Sequence, residues 1–136
     1  MKRVVRCFIF GFLVLALAPL AASATCVGPK PAIGSVVVAS HTSNGLVNVY
    51  HLVGTVTNVG SSAQSSNTLQ FVDIWQYGVK LDARGIPPLE LGSSAHFSYS
   101  WQRAIDAASG STTLNFTVDV RQGINCPAKR PYTLTF

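Results

Sequence analysis

Two stretches of this chain alternate apolar and polar residues with a period of two, and nothing else in the sequence limits its fold as strongly. Phe97, Tyr99 and Trp101 alternate with His96, Ser98 and Ser100; Leu114, Phe116, Val118 and Val120 alternate with Asn115, Thr117, Asp119 and Arg121. Side chains along a strand point to opposite faces in turn, so each stretch reads as a strand with one face on a core and the other in water. The run Leu52-Val-Gly-Thr-Val-Thr-Asn-Val-Gly60 adds a third. Leu52, Gly54 and Val56 share its inner face, Thr55 and Thr57 its outer one, and Asn58 with Gly60 supplies a turn. The expected core is therefore Leu52, Val56, Phe97, Tyr99, Trp101, Leu114, Phe116 and Val118.

The remaining segments fit the same plan. Ile33 to Ala39 reads as a first strand, and His41 to Gly45 as a turn region with Asn44-Gly45 as its hairpin signal. Leu46 to Thr57 is the second strand, Thr68 to Gln76 the third, and Val79 to Asp82 a short fourth after a Tyr77-Gly78 turn. Ile86-Pro-Pro-Leu89 is an extended link. A single helical turn is expected at Ile105 to Ala108, and Tyr132 to Phe136 closes the chain as a last strand. About seven short strands with turn signals between them, and no helix-period stretch after residue 24, describe an all-β chain folded as one β-sandwich.

The first 24 residues read differently. Met1-Lys-Arg-Val-Val-Arg6 is basic, Cys7 to Leu20 is apolar, and Ala22-Ser23-Ala24 offers a small-x-small cleavage site. These are the three parts of a secretory signal peptide, which places residues 25–136 in the periplasm or outside the cell as a single domain with no membrane span after cleavage. Removing Lys2, Arg3 and Arg6 leaves seven Lys and Arg beside five Asp and Glu. So small an excess gives no support for nucleic-acid binding. Cys26 and Cys126 remain, an even pair in an oxidising compartment, and are expected to form a disulfide. Closing so long a loop stabilises by roughly 4 to 5 kcal/mol in the chain-entropy model. Cys26 stands five residues before Pro31 and Cys126 five before Pro131, which suggests first and last strands running side by side and a basic patch of Lys30, Lys129 and Arg130 at that pole.

Thr55-Val-Thr-Asn-Val-Gly60, a strand ending in Tyr77-Gly78-Val-Lys80, Leu89-Glu-Leu-Gly92 before an aromatic strand, and Ser111 to Asp119 together resemble the bacterial cell-adhesion-related domain known as CARDB. The resemblance covers roughly residues 32–121. It implies an immunoglobulin-like or fibronectin-III-like sandwich with an extracytoplasmic binding or structural habit. In place of the Asp-Gly turn common in that family, this chain has Tyr77-Gly78, and the domain stands alone instead of repeating within a larger surface protein.

Chemistry is sparse. His41, His51 and His96 fall in a turn and on two strands, the five carboxylates show no paired spacing, and H-x-H, H-E-x-x-H, D-x-D and G-x-S-x-G do not occur. The reading is of a non-catalytic module without metal or cofactor, meeting a protein or glycan partner at the cell envelope. A small outer-membrane β-barrel is the rival, since Tyr132-Thr-Leu-Thr-Phe136 is similar to a barrel's closing strand; a secreted carbohydrate-binding or inhibitor domain on the same sandwich is another. The third strand decides where a partner would sit. Bulk favours burying Phe71, Trp75 and Tyr77, but Asp73 shares their face, and Val72 and Ile74 can be buried without electrostatic cost. Phe71, Trp75 and Tyr77 are therefore expected to lie partly exposed on an outer sheet face as the candidate partner surface.

Overall fold

A computed structural model describes residues 25–105, 111–127 and 130–136. The expected signal peptide, Lys129 and all of the expected helical turn beyond Ile105 lie outside them. Seven strands run in the order β1 (Pro31–Ser43), β2 (Val47–Asn58), β3 (Leu69–Gln76), β4 (Val79–Ile86), β5 (Ser94–Ala104), β6 (Thr113–Gln122) and β7 (Tyr132–Thr135). They form a three-stranded sheet, β1-β2-β5, and a four-stranded sheet, β4-β3-β6-β7. Every pairing is antiparallel. This is an immunoglobulin-like β-sandwich in which the fourth strand pairs with the third instead of joining the sheet of the first, second and fifth. Both sheets are open, so the described strands do not close into a barrel.

The parity expected from the sequence holds. Leu52, Val56, Phe97, Trp101, Leu114 and Phe116 are buried between the sheets together with Val36, Val72 and Ile74. Tyr99 and Val118 pack against this cluster half-buried. Gly54 sits mid-strand because a Cβ there would overlap the Phe97 ring. Trp101, Tyr50 and Phe136 form an aromatic group, with centroids 4.7 Å apart for Trp101 and Phe136 and 4.9 Å for Tyr50 and Phe136. β1 and β4 are longer than their apolar runs. β1 continues through His41, Thr42 and Ser43, which pair with Tyr50, Val49 and Asn48. Backbone pairing across a hairpin needs no apolar side chain, so hydrophobic pattern alone ends such strands too early.

Cys26 and Cys126 are bonded, with Cα atoms 5.7 Å apart. The expected route to that contact is corrected. β1 and β7 do not pair; β1 edges one sheet and β7 the other. The sulfurs meet because the segment before β1 docks on the β6–β7 connection, where the Cys126 amide donates to the Pro29 carbonyl at 2.8 Å.

That end of the sandwich is built from carboxamides rather than hydrocarbon. Asn58 Oδ1 accepts from the Lys30 and Gly60 amides, at 2.9 and 3.1 Å, and its Nδ2 donates to the Ser62 and Leu89 carbonyls. Gln64 and Gln70 exchange hydrogen bonds of 2.8 and 2.7 Å, and Gln70 also donates to the Pro87 carbonyl. Asn58, Gln64 and Gln70 are all buried. Each is retained there because its polar atoms are partnered.

Candidate functional site

The outer face of the four-stranded sheet carries the only dense mixture of aromatic and charged side chains among the described residues. On β3, Phe71, Asp73 and Trp75 share this face, opposed on β6 by Asp119, Thr117 and Asn115 and on β4 by Gly85, Ala83 and Lys80. Small residues opposite Phe71 and Asp73 leave their side chains room to lie across the sheet. Two irregularities shape the cluster. Leu81 is an extra residue in β4, so that Lys80 falls opposite Trp75, and Arg121 is an extra residue in β6 beside Phe71. Bulges of this kind re-aim side chains locally.

Asp73 points outward, yet it is 3% exposed. Lys80 Nζ donates to its Oδ2 at 3.0 Å, and an Arg121 terminal nitrogen stands 3.7 Å from Oδ1. Oδ1 makes no hydrogen bond. The two cations also cover the aromatic neighbours. The Arg121 guanidinium lies 3.9 Å from the Phe71 ring centroid and Lys80 Nζ 5.5 Å from that of Trp75, distances at which a cation is attracted to the ring. Arg121 Nε donates to Asp119 Oδ2 at 3.0 Å, and Trp75 Nε1 to Thr117 Oγ1 at 3.0 Å. The result is a layer of alternating ring and charge in which a hydrogen bond fixes the orientation of the Trp75 ring. The long side chains of Lys80 and Arg121 are 39% and 42% exposed.

Phe71 and Trp75 are thus half-buried on the outer face, while Tyr77 lies off the strand in the β3–β4 turn and is 78% exposed. Tyr77 and Gly78 have φ of 51° and 77°, as a two-residue hairpin turn of mirror-image type requires. Glycine takes this conformation freely; for tyrosine it costs about 1 kcal/mol. Val79 and Leu81, 63% and 41% exposed, continue the apolar surface from the turn along β4. The sequence pointed to the aromatics but not to Lys80 as their companion, because only the extra residue Leu81 sets Lys80 opposite Trp75.

The other candidates are less developed. Lys30 is half-buried, Arg130 is exposed and lines a small cleft with Pro31, and neither makes an ion pair among the described residues. Two histidines lie on the outer face of the three-stranded sheet. His51 Nδ1 is 3.3 Å from Ser100 Oγ and His96 Nδ1 3.2 Å from Thr55 Oγ1, and no carboxylate orients either ring among the described contacts. His41 stacks on Tyr50 and meets Asn48 Oδ1. No group of three or more His, Cys, Asp or Glu among the described residues could hold a metal ion. At the rim between β4 and β5, Arg84 pairs with Asp82 at 2.6 Å and stands over Tyr99. Burial first, and the Asp82 carboxylate second, push the Tyr99 hydroxyl above its ordinary range, against the pull of Arg84.

Comparison of the chain with family models, with curated proteins and with solved structures finds no match. The disulfide is of the kind that persists in oxidising compartments. No helix among the described residues is long and apolar enough to cross a membrane.

Proposed function

We propose that this chain is an exported, non-catalytic binding module of the cell envelope, of the kind its resemblance to the cell-adhesion-related domain implies, and that it meets its partner through the β3–β4 hairpin and the adjoining outer face. The observation that carries the reading is Tyr77. A tyrosine held at φ 51° and 78% exposed contributes nothing to the core and costs backbone energy where asparagine or glycine would not. Beside it stand Trp75, oriented by Thr117, and the exposed apolar side chains of Val79 and Leu81. Rigid aromatics rimmed by polar groups suit both a protein surface and the face of a sugar ring.

A glycan reading draws on the pairing of Trp75 with Asp73 and Lys80, since a sugar offers a flat apolar face for the ring and hydroxyls for the charged groups. The test compares wild type with Tyr77→Asn and Trp75→Ala. Envelope polysaccharides are offered in affinity gels and envelope proteins in a pull-down. Retardation or capture that both variants lose, while their far-UV spectra stay unchanged, supports the site. Binding that survives both substitutions moves the partner surface elsewhere.

A further inference from the structure

We propose that the open edge of β5 is the pairing site for a second copy of this chain, joining two three-stranded sheets into one of six strands. Two open sheets have four edges, and three of them are blunted. β1 begins on Pro31, which has no N–H, and its register with β2 is interrupted between Ile33 and Ser35 and again between Val38 and Ser40. β4 carries the extra residue Leu81 and charges at Lys80, Asp82 and Arg84. β7 has four residues. Bulges, prolines, charges and shortness are the devices by which sheet edges avoid pairing with another chain. β5 lacks bulge, proline and shortness: its 11 residues pair with β2 in unbroken register, contain no proline, and carry a single formal charge, Arg103, near one end.

The direction of its free backbone groups follows from the ladder. The Asn58 amide donates to the Ser93 carbonyl, and the Ile105 amide to the Leu46 carbonyl, both at 3.0 Å and both continuing the β2–β5 register. Antiparallel bonding alternates along a strand, so the odd-numbered residues of β5 bond to β2. Ser94, His96, Ser98, Ser100, Gln102 and Ala104 direct their N–H and C=O groups away from the sheet.

A two-fold axis through Tyr99 sets Ser98 against Ser100, His96 against Gln102 and Ser94 against Ala104, in both directions. Each such pair exchanges two bonds, about twelve in all. Three features of this register suit a second copy. All six outward-directed residues are used. The polar, even-numbered face of one strand continues that of the other, and the apolar, odd-numbered face likewise. Arg103, the single formal charge of β5, falls opposite Ala95, so its two copies stay apart, and Arg84, which stands over Tyr99 at the axis, is already paired with Asp82. An interface of this kind is isologous and closes on itself.

Protein expressed from its full sequence is run in sedimentation velocity from dilute to concentrated solution. The expected result is a concentration-dependent doubling of mass. Ser98→Pro removes a donor that β2 does not use, a position where an edge strand tolerates proline; it should leave the melting transition in place and abolish the dimer. Ser100→Lys places two ammonium groups beside the axis and should weaken association by about tenfold. Spin labels fix the register: at Ser100→Cys they should lie roughly 8 Å apart, and at Ser94→Cys roughly 33 Å, given a rise near 3.3 Å per residue. A chain monomeric at every concentration overturns the proposal. So does a dimer that survives Ser98→Pro, or one with the two label distances reversed. Capture of a foreign strand by a chain that never self-associates would replace the second copy as the occupant and overturn it equally.

Discussion

Asn58→Ala should destabilise this domain by about 2 to 4 kcal/mol, although the residue contributes no apolar area. The amide is 1% exposed and makes four hydrogen bonds to backbone groups. Removing it leaves the half-buried Lys30 and Gly60 N–H groups without their acceptor, and a donor left unpaired away from water costs about 1 to 3 kcal/mol. The two carbonyls lose less. That of Leu89 also accepts from the Gln64 amide at 3.0 Å, and Ser62 is exposed to water. With a urea m value of about 2 kcal/mol/M, the midpoint falls by roughly 1 to 2 M. Asn58→Asp sharpens the test. It keeps both acceptor contacts but turns an anionic oxygen toward the Ser62 and Leu89 carbonyls. Burial at 1% exposure and the two facing carbonyls outweigh the two N–H donors, so its folded pKa is expected above the unfolded value near 3.9. A group shifted this way contributes its stability in full below the unfolded pKa and loses it as pH rises through the folded one. The deficit of Asn58→Asp relative to wild type should accordingly grow between pH 4 and neutrality, while that of Asn58→Ala stays level. A midpoint shift in Asn58→Ala worth under about 1 kcal/mol, or a pH-independent deficit in Asn58→Asp, would refute the claim that this amide ties the amino-terminal segment to the sandwich.

Two further outcomes can be checked directly. Phe116→Ala, at a fully buried position between the sheets, should lower stability by roughly 3 to 5 kcal/mol in urea unfolding, and a loss under about 1 would mean that the faces of β6 are reversed. Iodide should quench about half of the tryptophan fluorescence, because Trp101 is shielded and Trp75 is half-exposed; quenching of neither would remove the proposed surface.

The sandwich and its faces were legible because burial of β-strands leaves a period-two record, and on β2, β5 and β6 that record is clean. The third strand was legible for a subtler reason. Asp73 weighed against burying its own face, and the structure indeed turns Val72 and Ile74 inward at 0% exposure. The same reasoning did not anticipate that Asp73 would be sealed from water on the outer face, since its seal is made by long side chains from β4 and β6 whose positions depend on two bulges. Register irregularities leave no mark in hydropathy. The carboxamide cluster was hidden likewise. Asn58 was legible as a turn residue, and Gln70 shares the inward parity of Val72 and Ile74, but nothing in either suggested a shared network, which arises when the links around Gln64 and Leu89 fold over one end. The relation of the two cysteines was read correctly from their number and compartment, but the parallel strands invoked to explain it were not there, because equal offsets from proline carry no information about which sheet a strand joins.

The outer-face cluster is best understood through what its cations do without a partner. Lys80 and Arg121 neutralise Asp73 and at the same time cover Phe71 and Trp75, so an otherwise exposed aromatic surface is kept from nonspecific association by charges belonging to the same sheet. Both side chains are long and partly exposed, but the carboxylate between them is almost wholly buried, so their charged heads can swing aside only where something else satisfies Asp73, whereas the rings beneath them are held by the strand and, for Trp75, by its hydrogen bond to Thr117. Tyr77 has no such cover. A partner arriving at the hairpin would meet the uncovered ring first and then gain Trp75 by displacing Lys80, whose departure leaves Asp73 in need of a new donor. A ligand supplying both a flat apolar face and a hydroxyl or amide N–H satisfies the ring and the carboxylate together, and a purely apolar one satisfies only the ring. Under the proposed function, the surface would discriminate by the penalty it imposes on ligands that uncover Asp73 without replacing its hydrogen bond.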